Sequence, residues 1–434
     1  MKDRPNILVI AIDSLRADHL GCYGYPHATS PNIDAFAREG ALVERFVCAG
    51  LPTHPSFTTL YTGQHPITHG IVAHGPRNAL GKDSPFLPQV LLEEGYTTCA
   101  VDNLATGRLW FRRGFEYYID PSMRHSLYID VTSEELNARA IPWLKAHADE
   151  PFFMLIHYWD PHWPFNPPPR YQHLFYEGNP TDPGNRALER WWQHPLGAVA
   201  KDTWMRRPEG LITDPDYITA LYDREIRHVD DGVGALLGAL DRFGLSDDTV
   251  VVLLGDHGES LVEHGIFFDH HGLYDVTLHV PFLVRWPGHV APGTRLARML
   301  QHHDIAPTLL DAAGVRIPRE MDGESFLGLL TGESDAAGRE RAVSCECTWQ
   351  AKWSLRTDRH KLILARAPDL YGSPERELYD LAADPREERN MADENPELAA
   401  ALTDELESWI ATRLSALGRS EDPLRQHGIS LNFS

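Results

Sequence analysis

Short apolar runs alternate with helix-patterned stretches along this chain, and that alternation restricts it to folds built on a mainly parallel sheet covered by helices. Ile7–Ile12, Thr97–Val101, Phe152–His157, Thr249–Leu254 and Val280–Val284 read as the core strands. Between them Ile218, Tyr222, Ile226, Val229, Val233, Leu237 and Leu240 recur at three- and four-residue steps, marking one face of a long amphipathic helix. Ile305–Ala313, followed by Gly314, predicts a shorter helix with a glycine stop. The stretch from Asn166 to Pro215 is rich in Pro, Trp, Arg and Gly without a period, and reads as an irregular insertion or lid. From about residue 340 the pattern changes: Ala342–Cys347, Trp353–Arg356 and Lys361–Leu364 predict a small antiparallel sheet, and Pro396–Leu417 a final helix. These boundaries divide the 434 residues into an α/β domain over 1–338 and a C-terminal α+β subdomain over 339–434.

A formal net charge of -22 argues against a nucleic-acid or anionic-membrane partner. A small anionic substrate remains compatible with it, because a metal or a helix N-terminus reverses the field locally. The Ile7–Ile12 run falls far below the roughly 20 residues of a membrane span, and no signal-peptidase pattern follows it. Five scattered cysteines (Cys22, Cys48, Cys99, Cys345, Cys347) fit a reducing cytoplasm, with Cys345 and Cys347 as structural thiols on a strand. Oligomeric state is left open; the tail from Arg425 to Ser434 carries apolar residues able to dock on a neighbouring copy.

Ligands of open α/β sheets gather beyond the carboxyl ends of the strands. Asp13 follows the first strand, Asp256 and His257 follow Thr249–Leu254 through Gly255, and Asp160 and His162 follow Phe152–His157. One such acid is ordinarily a helix cap; acids and imidazoles from three strands at one edge point instead to a metal site. Pro55 suits a first helical turn and places Thr53 at or just before a helix N-terminus. Read locally, Thr53 is an N-cap. Beside a metal its hydroxyl can ionise and act as a nucleophile.

Several ordered segments resemble the sulfatase family of the alkaline phosphatase superfamily. The opening Arg4 to Gly24, with Asp13, resembles the family's first strand and metal ligand. Thr53-His-Pro55-Ser56-Phe57 through Leu60, Thr62 and Gly63 is similar to the signature Cys/Ser-x-Pro-Ser-Arg-x-x-Leu-x-Thr-Gly. Asp160-Pro-His162 resembles a substrate-binding segment, Gly255-Asp256-His257-Gly258-Glu259 the second metal motif, and the segments at Asp304, Met321 and Glu377 structural landmarks. The resemblance implies an alkaline-phosphatase-like three-layer sandwich. It also implies a metal held by Asp13, Thr53, Asp256 and His257, with Asn103, His162, His270 and His271 around the substrate.

The departures bear on activity. Thr53 stands where sulfatases carry the cysteine that becomes formylglycine, and no cysteine here is followed by x-Pro-x-Arg, so no formylglycine is expected. Phe57 replaces the signature Arg, Ser14 a second Asp, and His270-His271 a Lys-His pair. These changes resemble superfamily members acting on phosphate diesters and phosphonate monoesters. Imidazole in the ligand set favours Zn²⁺ or Mn²⁺ over Ca²⁺. The expectation is a hydrolase in which Thr53 attacks phosphorus, with His162 or His270 as acid or charge stabiliser. Ser56 is the reserve nucleophile. A sulfatase or promiscuous esterase, and a decayed binding protein on the same fold, are the competing readings. A second metal is left open, with His162, His270, His271, His302 and His303, and Asp160 or Asp230, as donors among the 23 histidines and their neighbouring acids. Against that, Asp230 and Asp231 read equally as a solvated or capping pair, and His302 and His303 as surface histidines. His54 and His69 are candidates to line the pocket. The tryptophans Trp159, Trp163, Trp191, Trp192 and Trp204 suit an aromatic leaving-group pocket or core packing.

Overall fold

Asn6–Ile12 is buried along its whole length, as a strand with parallel partners on both sides and helices on both faces must be. The computed structural model describes residues 4–75, 79–125 and 129–430. Asn6–Ile12 pairs in parallel with Phe152–Tyr158 on one side and Thr249–Gly255 on the other. Thr97–Val101 and Tyr117–Ile119 extend the parallel half beyond Phe152–Tyr158. On the opposite flank Phe282–Arg285 runs antiparallel between Thr249–Gly255 and Ala41–Val47, and Thr294–Gln301 pairs with Ala41–Val47 in parallel. Among the described residues this sheet has nine strands. The expected Val280–Val284 strand is split by Pro281 into His279–Val280 and Phe282–Arg285, because proline lacks the N–H a ladder needs.

The period of two along Asn6–Ile12 divides the core. Leu8, Ile10 and Ile12 face a cluster built with the helices Pro31–Glu39, Ser133–Ala146 and Pro215–Arg242. Ile7, Val9 and Ala11 face a second cluster with Thr53–Thr62, Leu87–Glu93 and Ile305–Ala312. Each Leu or Ile so buried contributes about 1.5–3 kcal/mol of transfer free energy. The result is the expected three-layer α/β sandwich. Local chemistry agrees with it: Thr132 and Glu135 form a capping box at the start of Ser133–Ala146, and Asp214 caps the long helix at Asp216 N.

The stretch from Asn166 to Pro215 is irregular, as expected, but it is fastened rather than loose. Leu188, Trp191 and Met205 are buried in the core, and Trp191 stacks on Phe267 at 5.8 Å. At the C-terminal end Ala342–Glu346, Lys352–Arg356, His360–Ala365 and Arg376–Asp380 form an antiparallel sheet, covered by Pro396–Ala416 through Leu402, Leu406, Ile410 and Leu414. A fifth strand, Gly50–Leu51, joins this sheet from the N-terminal part of the chain and pairs in parallel with Cys345 and Glu346. That pairing sits two residues before Thr53. No disulfide joins any two of the five cysteines. The tail folds onto its own chain: Ser430 N–H donates to Cys347 O at 3.1 Å and its hydroxyl to His74 O at 2.6 Å. Leu431–Ser434 lie outside the described residues. No helix among the described residues is long and apolar enough to cross a membrane.

Candidate active site

The strand end at Asp13 turns through Ser14, which holds a left-handed φ of 56°, a conformation that costs a non-glycine residue about 1 kcal/mol or more. The turn aims Ser14 at both acids. Its N–H donates to Asp256 Oδ1 at 3.1 Å and its hydroxyl to Asp13 Oδ1 at 2.9 Å. The residue standing where the resemblance places another ligand therefore orients the two carboxylates. Asp256 and His257 arrive from the end of Thr249–Gly255, and the next position has no room for a side chain: a Cβ on Gly258 would meet Val276 O at 2.0 Å.

His257 Nδ1 donates to Gly258 O at 3.0 Å, which leaves Nε2 as a bare lone pair. That nitrogen lies 3.1 Å from Thr53 Oγ1, 3.3 Å from Asp256 Oδ2 and 3.8 Å from Asp13 Oδ1. All four residues are buried. Thr53 begins the Thr53–Thr62 helix, so its position is set by Gly50–Leu51 on one side and the helix on the other. Asp13 Oδ2 and Asp256 Oδ2 accept no hydrogen bond. Burial pushes the Asp256 carboxyl up, with the Asp13 charge adding to it. Burial also opposes ionisation of Asp13, but the His157 ring 3.3 Å away and the imidazoles of His162 and His257 hold it well below the usual carboxylate range. Two buried carboxylates with unpaired oxygens beside a bare imidazole nitrogen, their ligand atoms within 4.8 Å of one another, fit a divalent cation.

Around this cluster the histidine rings pack against one another. Ring centroids are 4.8 Å apart for His257 and His270, 5.0 Å for His270 and His162, and 4.9 Å for His270 and His271. Burial among these neighbours pushes His270 well down, whereas His271 is raised against burial by Asp269 and Glu346. His271 Nδ1 lies 2.6 Å from Glu346 Oε1, and Gly272 N–H donates to Glu346 Oε2 at 2.8 Å. Asn103 is buried and accepts from Trp159 Nε1 at 3.0 Å. His54 lies at the same end, its Nδ1 2.8 Å from that of His74.

His157, read only as the last residue of a strand, is a buried bridge between two acids. Its Nδ1 lies 2.9 Å from Asp102 Oδ1 and its Nε2 3.3 Å from Asp13 Oδ2. Burial lowers its pKa, but the two carboxylates override this and push it up to about 9. The Phe57 ring packs 4.5 Å from it. An imidazolium thus stands against the aromatic ring that replaces the signature Arg.

Other expectations are redirected. His302 and His303 are buried, not surface residues: His302 Nδ1 lies 3.1 Å from Ser56 Oγ, and His303 meets the His65 ring. Ser56 also donates to Asp256 O at 2.7 Å, which makes it a brace for the Asp256–His257 loop. Asp230 accepts from Asn32 N at 3.1 Å and Ile33 N at 2.8 Å, the cap of Pro31–Glu39. His69 Nε2 lies 3.0 Å from Thr59 Oγ1, a packing role. Asp160 faces Glu225 and His228. Trp159 reaches the site beside His157 and His162, while Trp191 and Trp204 pack with Phe268.

A large mainly parallel sheet, a small antiparallel sheet and strand-end acids grouped around a helix N-terminus make an alkaline-phosphatase-like fold. The chain belongs to the sulfatase family, whose profile matches residues 5–315. The profile of the N-sulphoglucosamine sulphohydrolase C-terminal region matches residues 262–412. Among its relatives, the N-acetylglucosamine-6-O-sulfatase of Bacteroides thetaiotaomicron is 24% identical over 89% of this chain and 82% of its own length. A Delta 4,5-hexuronate-2-O-sulfatase of the same organism is 26% identical over 90% of this chain and 85% of its own length. Among solved structures, the phosphonate monoester hydrolase of Agrobacterium radiobacter superposes with a TM-score of 0.74 at 24% identity, covering 95% of this chain and 96% of that one. A protein bound to its substrate D-glucosamine-2-N,6-O-disulfate superposes with a TM-score of 0.76 at 22% identity, covering 98% and 100%. At these identities the structural likeness carries the fold.

Proposed function

We propose that this protein hydrolyses phosphonate monoesters and phosphate diesters, with unmodified Thr53 as the nucleophile and a divalent metal, Zn²⁺ or Mn²⁺, held by Asp13, Asp256, His257 and Thr53. The observation that carries the reading is the placement of Thr53 Oγ1, buried at a helix N-terminus and 3.1 Å from His257 Nε2 among two unpaired carboxylate oxygens. A bound cation would lower the pKa of the Thr53 hydroxyl and polarise a nonbridging oxygen of the substrate. The Thr53 oxygen attacks phosphorus while its hydroxyl proton passes through His162 or His270 to the departing alcohol or phenol oxygen, so that the P–O bond to the leaving group breaks as the Thr–O–P ester forms. Water then cleaves the Thr–O–P bond and regenerates the hydroxyl. His270, kept neutral by burial, donates an N–H to the substrate oxygens, and His271, held against Glu346, fixes the loop beside it.

Phosphorus is favoured over sulfur by the fate of the adduct. A formylglycine sulfate collapses through its hemiacetal, a route closed to a threonine ester, whereas a threonine phosphoryl ester yields to attack by water. Sulfate ester hydrolysis is the second reading, supported by the names of the curated relatives. Dialysis against a chelator is expected to abolish turnover of an aryl phosphonate monoester, and Zn²⁺ or Mn²⁺ to restore it. Undiminished turnover in metal-stripped protein would contradict the metal assignment, and turnover in neither state would favour the decayed-binding-protein reading.

A further inference from the structure

A second group of ligand-type atoms lies on the other side of the His162 loop. Asp160 Oδ2, Glu225 Oε2 and His228 Nδ1 accept or donate no hydrogen bond. They face one another: His228 Nδ1 is 3.3 Å from Asp160 Oδ2 and 3.8 Å from Glu225 Oε2. Glu225 and His228 are both more than nine-tenths buried, one helical turn apart on Pro215–Arg242. The other polar side-chain atoms of Glu225 and His228 are already engaged. Glu225 Oε1 accepts from Asn166 N at 2.6 Å, and His228 Nε2 donates to Glu134 Oε2 at 2.8 Å.

The carboxylate on Nε2 fixes the tautomer and turns the bare lone pair of Nδ1 inward, which is how ligating histidines are oriented. Ligands of a tetrahedral Zn²⁺ at ~2.1 Å lie about 3.4 Å from one another, near the 3.3 and 3.8 Å that separate His228 Nδ1 from the two acids. Two carboxylates and a divalent cation sum to zero charge, whereas two bare carboxylates at this depth repel. Burial pushes both acids up, Glu225 to about 7 and Asp160 further helped by the Glu225 charge. The Asp160 side chain keeps 20% exposure, an entry path.

We propose that Asp160, Glu225 and His228 form a structural site for a first-row divalent cation, Zn²⁺ or Mn²⁺, that pins the loop carrying His162 to the long helix. It shares no ligand with the Asp13–Asp256–His257 cluster and does not depend on the substrate. Its role is positioning, since none of its residues touches the Thr53 group.

The test uses the full chain, metal-stripped, reloaded with Zn²⁺ and passed through gel filtration before analysis. Elemental analysis is expected to return two equivalents for the wild type, with one lost in Asp256→Asn and the other in Glu225→Gln or His228→Gln. Anomalous diffraction at the zinc edge from wild-type crystals checks placement without any variant, and a peak bounded by Asp160, Glu225 and His228 is the expected result. A peak confined to the Asp13 cluster, or no peak because Asp160 and Glu225 share a proton instead, overturns the proposal. Loss of the Asp13 peak alone would count against the catalytic reading and leave this one standing.

Discussion

Thr53→Ala is expected to lower kcat/KM for an aryl phosphonate monoester by about 1,000-fold or more, as removal of a covalent nucleophile does. The loss has two sources. The attacking oxygen is gone, and with it one of the three oxygens grouped around His257 Nε2. Thr53→Ser separates them, since it restores the oxygen without the methyl group, and is expected to recover most of the activity. The fold should survive both changes, because Thr53 is held by the Gly50–Leu51 pairing and by the Thr53–Thr62 helix rather than by its own side chain. Ser56→Ala serves as the contrast. Ser56 braces Asp256 O and His302, so its loss should weaken metal retention and reduce turnover far less than Thr53→Ala does. Full activity in Thr53→Ala, with Ser56→Ala inactive, would move the nucleophile to Ser56.

Lys361→Met should cost about 3–5 kcal/mol of stability, the usual penalty for stranding a buried charge. Lys361 is fully buried on His360–Ala365, and its Nζ pairs with Asp275 and, at 2.8 Å, with Glu387. Asp275 also takes Arg356 Nη2 at 3.0 Å, and its N–H donates to Glu387 Oε2 at 2.6 Å. Without the ammonium, two acids remain in a space with one guanidinium. The loop from Asp269 to Asp275 carries His270 and His271, so this cluster fastens the small sheet to the candidate site. Denaturant midpoints of wild type and variant measure the effect, and a difference below about 1 kcal/mol would show the pair to be worth no more than a surface bridge.

The parts of the site legible in the sequence share one property: the signal is local. Asp13, Asp256 and His257 each follow an apolar run, and a strand end is where ligands of such sheets collect. Thr53 was marked by Pro55. The hidden parts depend on partners far along the chain. His157 becomes a bridge because Asp13 and Asp102 end the strands on either side of it. Glu346, between two cysteines that read as structural, reaches His271 across 75 positions. Gly50–Leu51 is too short to show a period, yet it ties Thr53 to the C-terminal sheet. His302 and His303 looked like surface residues because their burial comes from Ser56, His65 and the packing of a distant helix. Val280–Val284 was legible as a strand, whereas its antiparallel direction follows from the chain path and not from its composition.

The most direct measurement compares kcat/KM for an aryl phosphonate monoester, an aryl phosphate diester and an aryl sulfate on one preparation of Zn²⁺- or Mn²⁺-loaded protein, with Thr53→Ala as the control. The account predicts that both phosphorus esters are hydrolysed faster than the sulfate and that all turnover falls with Thr53. Faster hydrolysis of the sulfate ester than of either phosphorus ester would contradict it.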